Sequence, residues 1–411
     1  METLLERFCR YVRIDTQADE KAATYPSSAG QLELGRLVVE ELHAMGLGDA
    51  TQDPHGIVMA TIPATGRPLA PTIAWIAHFD TSPETSGHNV KPIIHRNYRG
   101  GDIVLPGDTT KIILDNSELA SVRGCTLVTT DGTTLLGADD KAGLAVIMET
   151  ASYLTAHPEI PHGPIRLCFT CDEEIGHGVD HIDLGRLGAL VGYTLDGGGV
   201  GEIDGETFSA DLAVVKVTGI NIHPSIAKGR MVNALRIAGA LLDRLPHSTL
   251  SPEMTADREG FLHPYRIDGG VAEVIIRILL RDFETARLKD HAEILRHVVA
   301  GLQAEHPRSR IDVEVTPQYR NMAEGLAKEP RAVQFAEEAM RRAGLKPKRT
   351  IVRGGTDGSR LTEMGLPTPN LSTGEHNLHS PLEWTCMEEM ATAVRALVEI
   401  AQVWGEAEGN G

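Results

Sequence analysis

Histidine and carboxylate side chains recur at the ends of apolar runs in this chain. His78 and Asp80 close TIAWIAHFDT (72–81), Glu173 and Glu174 close IRLCFTCDEE (165–174), and Asp196 closes GYTLDGG (192–198). Asp139 and Asp140 stand together in LLGADDKAG, just before a helical pattern. Mixed imidazole and carboxylate donors suit zinc, with cobalt or manganese as substitutes. Like charges at neighbouring positions repel, and the end of a buried strand tolerates them only with a cation nearby. One carboxylate can bridge two metal ions about 3.5–4 Å apart, and such a pair generates hydroxide and clamps a substrate carbonyl. His78 and Asp80 share a face of a strand. Asp80 is therefore placed to accept the second N–H of the imidazole and fix its tautomer. Of two adjacent glutamates, one can bind metal while the other acts as general base. A lone His-x-Asp is more often a solvated pair than a ligand. Four separate runs delivering such residues argue for chemistry.

Positioning them requires a scaffold that gathers strand ends at one rim. Strands at 72–81, 126–131, 165–174 and 192–198, with a helix over 141–157, predict an α/β fold with a largely parallel sheet. In such a sheet ligands bind at the carboxyl ends of the strands. From about residue 208 the pattern changes. Strands at 211–219, 271–283 and 311–319 alternate with helices at 231–245 and 286–306, which predicts a smaller α+β domain. Helices at 330–344 and 387–404 follow. The expected organisation is a catalytic domain of residues 1–207 and 319–411, interrupted by an inserted domain at 208–318.

Composition narrows the function classes. The chain has 411 residues, 41% of them hydrophobic and 4% aromatic, so aliphatic side chains must build the core. A formal net charge of −18 without a local basic patch excludes a nucleic-acid partner. No apolar run of about 18 residues occurs, so no membrane span is expected. The opening METLLERFCRYV reads as an amphipathic helix rather than a signal peptide, which predicts a cytoplasmic protein. Cys168 and Cys171 have Cys-x-x-Cys spacing. They lie in an apolar strand and point to opposite faces, so they are expected to be buried structural thiols in a reducing compartment.

Read together, HFDTSPETSGHNV (78–90), NYRGGDI (97–103), TTDGTTLLGADDKAG (129–143), FTCDEEIG (169–176), YTLDGGGVGE (193–202), IHPSIAKGRMVNAL (222–235), RGGTDG (353–358) and HNLHSP (376–381) resemble the family of two-zinc aminopeptidases, carboxypeptidases and deacylases. The resemblance covers nearly the whole chain. It implies a zinc-peptidase catalytic domain with a mostly parallel mixed sheet and an α+β lid or dimerisation domain, with a homodimer possible through the latter. It implies two Zn2+ per chain, one bound by His78, Asp139 and Asp196 and the other by Asp139, Glu174 and His379, with Asp139 as the bridge. Asp80 would orient His78, and Glu173 would be the general base and later the general acid. The residues alone leave open whether His376, His379 or neither is a ligand; the resemblance selects His379. It implies a cis peptide at Asp139–Asp140. It also implies that His223 holds the oxyanion, and that Arg281 and Arg353, assisted by Asn233, grip a peptide carboxylate. The expected activity is release of the N-terminal residue from tripeptides with a free N-terminus. A dipeptidase or an N-acyl amino-acid deacylase with the same metal site is the alternative. Departures from the family pattern are Cys171 in place of proline, and Glu375, His376 and Leu378 in place of smaller or aromatic residues near His379.

Overall fold

The computed structural model describes residues 3–407. It forms two compact units. Among the described residues, the first takes 3–205, Glu324–Thr350 and 356–407; the second takes Glu206–Ala323 and Ile351–Gly355.

The first unit is built on an eight-stranded mixed sheet. Its strands run in the order Thr51–Gln52, Val58–Ile62, Ile165–Thr170, Ile73–His78, Val191–Thr194, Asn370–Leu371, Glu202–Thr207 and Lys348–Val352. The centre is parallel, because Ile73–His78 pairs in parallel with Ile165–Thr170 on one side and with Val191–Thr194 on the other. Every residue of Ile73–His78 is buried. Such two-sided burial demands a continuous apolar run rather than an alternating one, which IAWIAH provides. The helix Ala138–Ala156 packs on this strand, and Met387–Glu406 packs on that helix. On the sheet, Ala74, Ile76 and Cys168 join a buried cluster with Leu187, Leu361 and Leu366. Cys168 and Cys171 are both buried and free, and burial pushes the Cys168 thiol up to about 12.

Two expectations are corrected in this unit. The run at 126–131 does not join the parallel sheet. Leu127–Thr129 lies in a separate antiparallel sheet between Ile93–His95 and Trp384–Cys386, with Glu375–His376 at its edge. Glu173 and Glu174 do not end a strand either. The strand stops at Thr170, Asp172 turns the chain with a left-handed φ of 61°, and the glutamates sit in the short 3-10 turn Glu173–Ile175. Asp172 holds that turn by accepting hydrogen bonds from the Ser27 N–H at 2.7 Å and the Gln31 side-chain amide at 2.6 Å.

The second unit is a four-stranded antiparallel sheet in the order Phe261–Gly269, Glu273–Asp282, Ser209–Thr218 and Arg310–Tyr319. Helices Ala234–Arg244 and Arg287–Glu305 cover it, and Val215, Val217, Ile276, Ile278, Leu241 and Leu295 lie in the shared core. The segment FLHPYRIDG carries no strand in the sequence reading because Pro264 cannot donate to a ladder. The structure accommodates it on an edge strand, with a register shift between Pro264 and Arg266.

Candidate metal centre

The site lies at the carboxyl end of the central parallel strands. His78 is the last residue of its strand, and its backbone N–H donates to Asp140 Oδ2 at 3.0 Å. Asp140 also accepts from the Gly143 N–H at 3.1 Å. Both its oxygens therefore serve the backbone, while Asp139 turns to the imidazoles. The peptide bond between the two aspartates is cis.

Asp139 divides its carboxylate between two histidines. Oδ1 lies 3.1 Å from His78 Nε2, and Oδ2 lies 3.1 Å from His379 Nε2. His78 Nε2 is also 3.9 Å from Asp196 Oδ2, and His379 Nε2 is 2.9 Å from Glu174 Oε2. Asp80 stands behind His78, with Oδ1 3.3 Å from Nδ1. Its two oxygens also accept the N–H groups of Glu173 and Glu174, each at 3.0 Å, so one buried carboxylate sets both the ring and the glutamate turn. His376 turns away from the cluster. Its Nε2 lies 2.8 Å from Glu389 and its ring stacks on Trp384. His379 reaches the site with a left-handed φ of 58°, and the Thr85 hydroxyl donates to its carbonyl at 2.6 Å.

Three residues to which the sequence reading assigns no role complete the surroundings. Glu383 is buried, and its two oxygens accept the N–H groups of Leu136, Gly137, Ala138 and Asp139 at 2.7, 2.8, 2.7 and 3.2 Å. It satisfies the open first turn of the helix and fixes the backbone of Asp139. Asp357 accepts from the Thr170 hydroxyl at 2.9 Å, and its N–H donates to Glu173 Oε1 at 3.2 Å. Glu375 places a carboxylate oxygen within 4.8 Å of ligand atoms of Asp139 and Asp196. A single acid with no patterned neighbour gives no signal in sequence. Glu375 stands out only as a departure from the family pattern and Asp357 only as part of RGGTDG; tertiary approach shows what each of the three faces.

Such a concentration of buried acid is costly without positive charge. Burial pushes Glu173 well above the usual carboxylate range, Glu174 up to about 8 and Asp196 up to about 7. Burial opposes charge on His379 as well, but Asp139 and Glu174 outweigh it and lift its pKa to about 11. Divalent cations fit the arrangement on two observations. Glu174 Oε1 is buried without a hydrogen-bond partner, and His78 Nε2 and Asp139 Oδ1, though 3.1 Å apart, are buried without an aligned hydrogen bond. Donor atoms of His78, Asp139 and Glu174 also lie within 4.8 Å of one another, as do those of Asp139, Asp196 and Glu375. Ligands about 2.0–2.2 Å from one ion are spaced in this range.

The other expected contacts all lie in the second unit. His223 is exposed, with its Nδ1 2.7 Å from the Ser225 hydroxyl and accepting from the Ser225 N–H at 3.3 Å. Asn233 caps its helix by accepting from the Leu235 N–H at 3.0 Å. The terminal nitrogens of Arg353 donate to the carbonyls of Asp257 and Glu259 and to the carbonyl and hydroxyl of Thr255. Its guanidinium also lies over the rings of Phe208 and Phe261. Arg281 differs, since its Nε is buried without a hydrogen-bond partner.

These features make a candidate centre for divalent metal on a mixed α/β sheet, and comparison with known proteins places the chain. Residues 129–403 match Peptidase family M20/M25/M40, and the chain belongs to that family. It is 45% identical over 406 residues to Peptidase T of Geobacillus thermodenitrificans, with 98% of each chain covered. Two solved structures share 25% identity and cover 98% of both chains: an aminopeptidase PepT from Bacillus cereus at a TM-score of 0.75 and a tripeptidase from Staphylococcus aureus at 0.78.

Proposed function

We propose that this chain is a metal-dependent aminopeptidase that releases the N-terminal residue from tripeptides. The observation that carries the reading is Asp139, with one oxygen facing His78 and the other facing His379. Likeness to proteins named Peptidase T, aminopeptidase and tripeptidase supports the substrate class. His78, Asp139 and Asp196 would hold one ion, and Asp139, Glu174 and His379 the other. Zinc suits the imidazole content, with cobalt or manganese as substitutes. When bound, the pair would lower the pKa of an attacking water and polarise the scissile carbonyl.

The chain's own residues supply the rest. Glu173 takes a proton from the water and returns it to the departing amine. Its Oε1 is steadied by the Asp357 N–H at 3.2 Å. Asp80 keeps His78 in the tautomer that leaves Nε2 open. His223, held through Nδ1 by Ser225, would turn its Nε2 to the oxyanion. Arg281 is the better candidate for the peptide's C-terminal carboxylate, because the terminal donors of Arg353 brace the 255–259 loop. Asn233 assists from its cap position. Residues 208–318 would serve as lid and dimer surface.

No helix among the described residues is long and apolar enough to cross a membrane. The cysteines are free, which supports a cytoplasmic setting. A panel of free-amino tripeptides, dipeptides and N-acyl amino acids tests the reading. Tripeptides should be hydrolysed fastest; faster turnover of N-blocked substrates would replace the aminopeptidase with a deacylase.

A further inference from the structure

Glu375 is the acid beside the metal centre to which the proposed reaction gives no task. Its backbone runs beside Gly198, where a Cβ would come within 2.9 Å of the Glu375 carbonyl oxygen. Glycine at 198 therefore admits this segment close behind Asp196. The Thr373 N–H fastens the approach by donating to the Gly197 carbonyl at 2.7 Å. As a result, carboxylate oxygens of Asp139, Asp196 and Glu375 lie within 4.8 Å of one another.

The Glu375 side chain is 2% exposed. Its Oε1 accepts from the Thr373 hydroxyl at 2.6 Å. Its Oε2 is buried and has no hydrogen-bond partner. A carboxylate oxygen cut off from both water and donors is strongly unfavourable, and a cation among the three acids removes the deficit.

Resting on the metal-peptidase reading above, we propose that Glu375 is an additional ligand to the ion held by His78, Asp139 and Asp196. That position then has three carboxylate donors and one imidazole. Carboxylates suit hard, six-coordinate ions such as manganese, whereas imidazole suits zinc. The position shared by Asp139, Glu174 and His379 lacks the extra acid, so the two positions differ in selectivity. Glu375 tilts its own position toward manganese.

The test is calorimetric titration of metal-free protein with Mn2+ and, separately, Zn2+, for the wild type and Glu375→Gln. The wild type should take up two Mn2+ per chain. The variant should lose at least about tenfold in Mn2+ affinity at one position, with a smaller loss for Zn2+ and the other position unchanged. Superimposable Mn2+ isotherms, or tighter Mn2+ binding by the variant, would overturn the proposal while leaving the peptidase reading intact. A wild type that takes up neither ion would overturn both. If Glu375→Gln does not fold, the visible absorption of Co2+-loaded wild type decides. Weak bands of a five- or six-coordinate ion support the extra ligand, and intense tetrahedral bands at both positions rule it out.

Discussion

At the scale of single residues, chemistry and support fall to different carboxylates. Glu173 adjoins the proposed ligand Glu174, but its backbone N–H is held by Asp80 and its Oε1 by the Asp357 N–H. The proposed role is therefore separable from metal binding. Glu173→Ala should keep its metal content, measured by elemental analysis, and lose about 10²- to 10⁴-fold in kcat. Wild-type turnover in that variant would remove Glu173 as the base. His78, Asp80, Asp139, Glu173, Glu174 and Asp196 stood out in sequence because paired acids at the ends of apolar runs have no cheap structural explanation. Glu383 and Asp357 did not, because each is an ordinary single acid until the fold brings backbone N–H groups to it. His376 and His379 were inseparable by residue type; the stacking of His376 on Trp384 and its contact with Glu389 distinguish them.

At the scale of elements, the helix Ala138–Ala156 is the part that the site tolerates least change in. Its start is held by Glu383 rather than by a local cap, and its side chains are buried on nearly every face. Gly143 lets this helix approach the strand end that carries Asp196. A Cβ there would stand 1.8 Å from the Leu195 carbonyl oxygen and 2.3 Å from Asp140 Oδ1. Backbone cannot yield that much without moving Asp196. Gly143→Ala should therefore bind fewer than two metal ions per chain even where it stays soluble, as read by elemental analysis. A variant with full metal content and activity would show that the helix can shift freely. The apolar runs disclosed the central strands, since a strand buried on both faces has few alternatives. They did not disclose that 126–131 belongs to a separate antiparallel sheet, because pairing partners depend on distant chain. The edge strand at 261–269 stayed hidden behind its proline.

At the scale of the whole molecule, two units with separate cores share one chain that passes between them repeatedly. Buried histidines are found in both. Burial holds His162 in the first unit and His291 in the second below the usual histidine range. The unfolded chain, with histidine near about 6.5, takes up protons before the folded one does. These groups therefore contribute stability above that pH, and it is lost as pH falls through the folded values. Calorimetric melting of the second unit should fall from pH 7 to pH 5. His291→Gln should weaken the dependence in the second unit alone; an unchanged slope there would exclude His291 as its source. The change of strand and helix periodicity near residue 208 was legible, and Glu206 opens the second unit. The return of 351–355 to the second unit was not, since a short loop carries no periodicity.

The account rests on divalent ions held between His78, Asp139 and His379 acting on a peptide with a free amine. Hydrolysis of a free-amino tripeptide before chelation, after exhaustive chelation and after return of Zn2+, Co2+ or Mn2+ tests that directly. Chelated protein should be inactive yet folded, and returning a divalent ion should restore release of the N-terminal residue. Full turnover by protein stripped of metal would contradict the account.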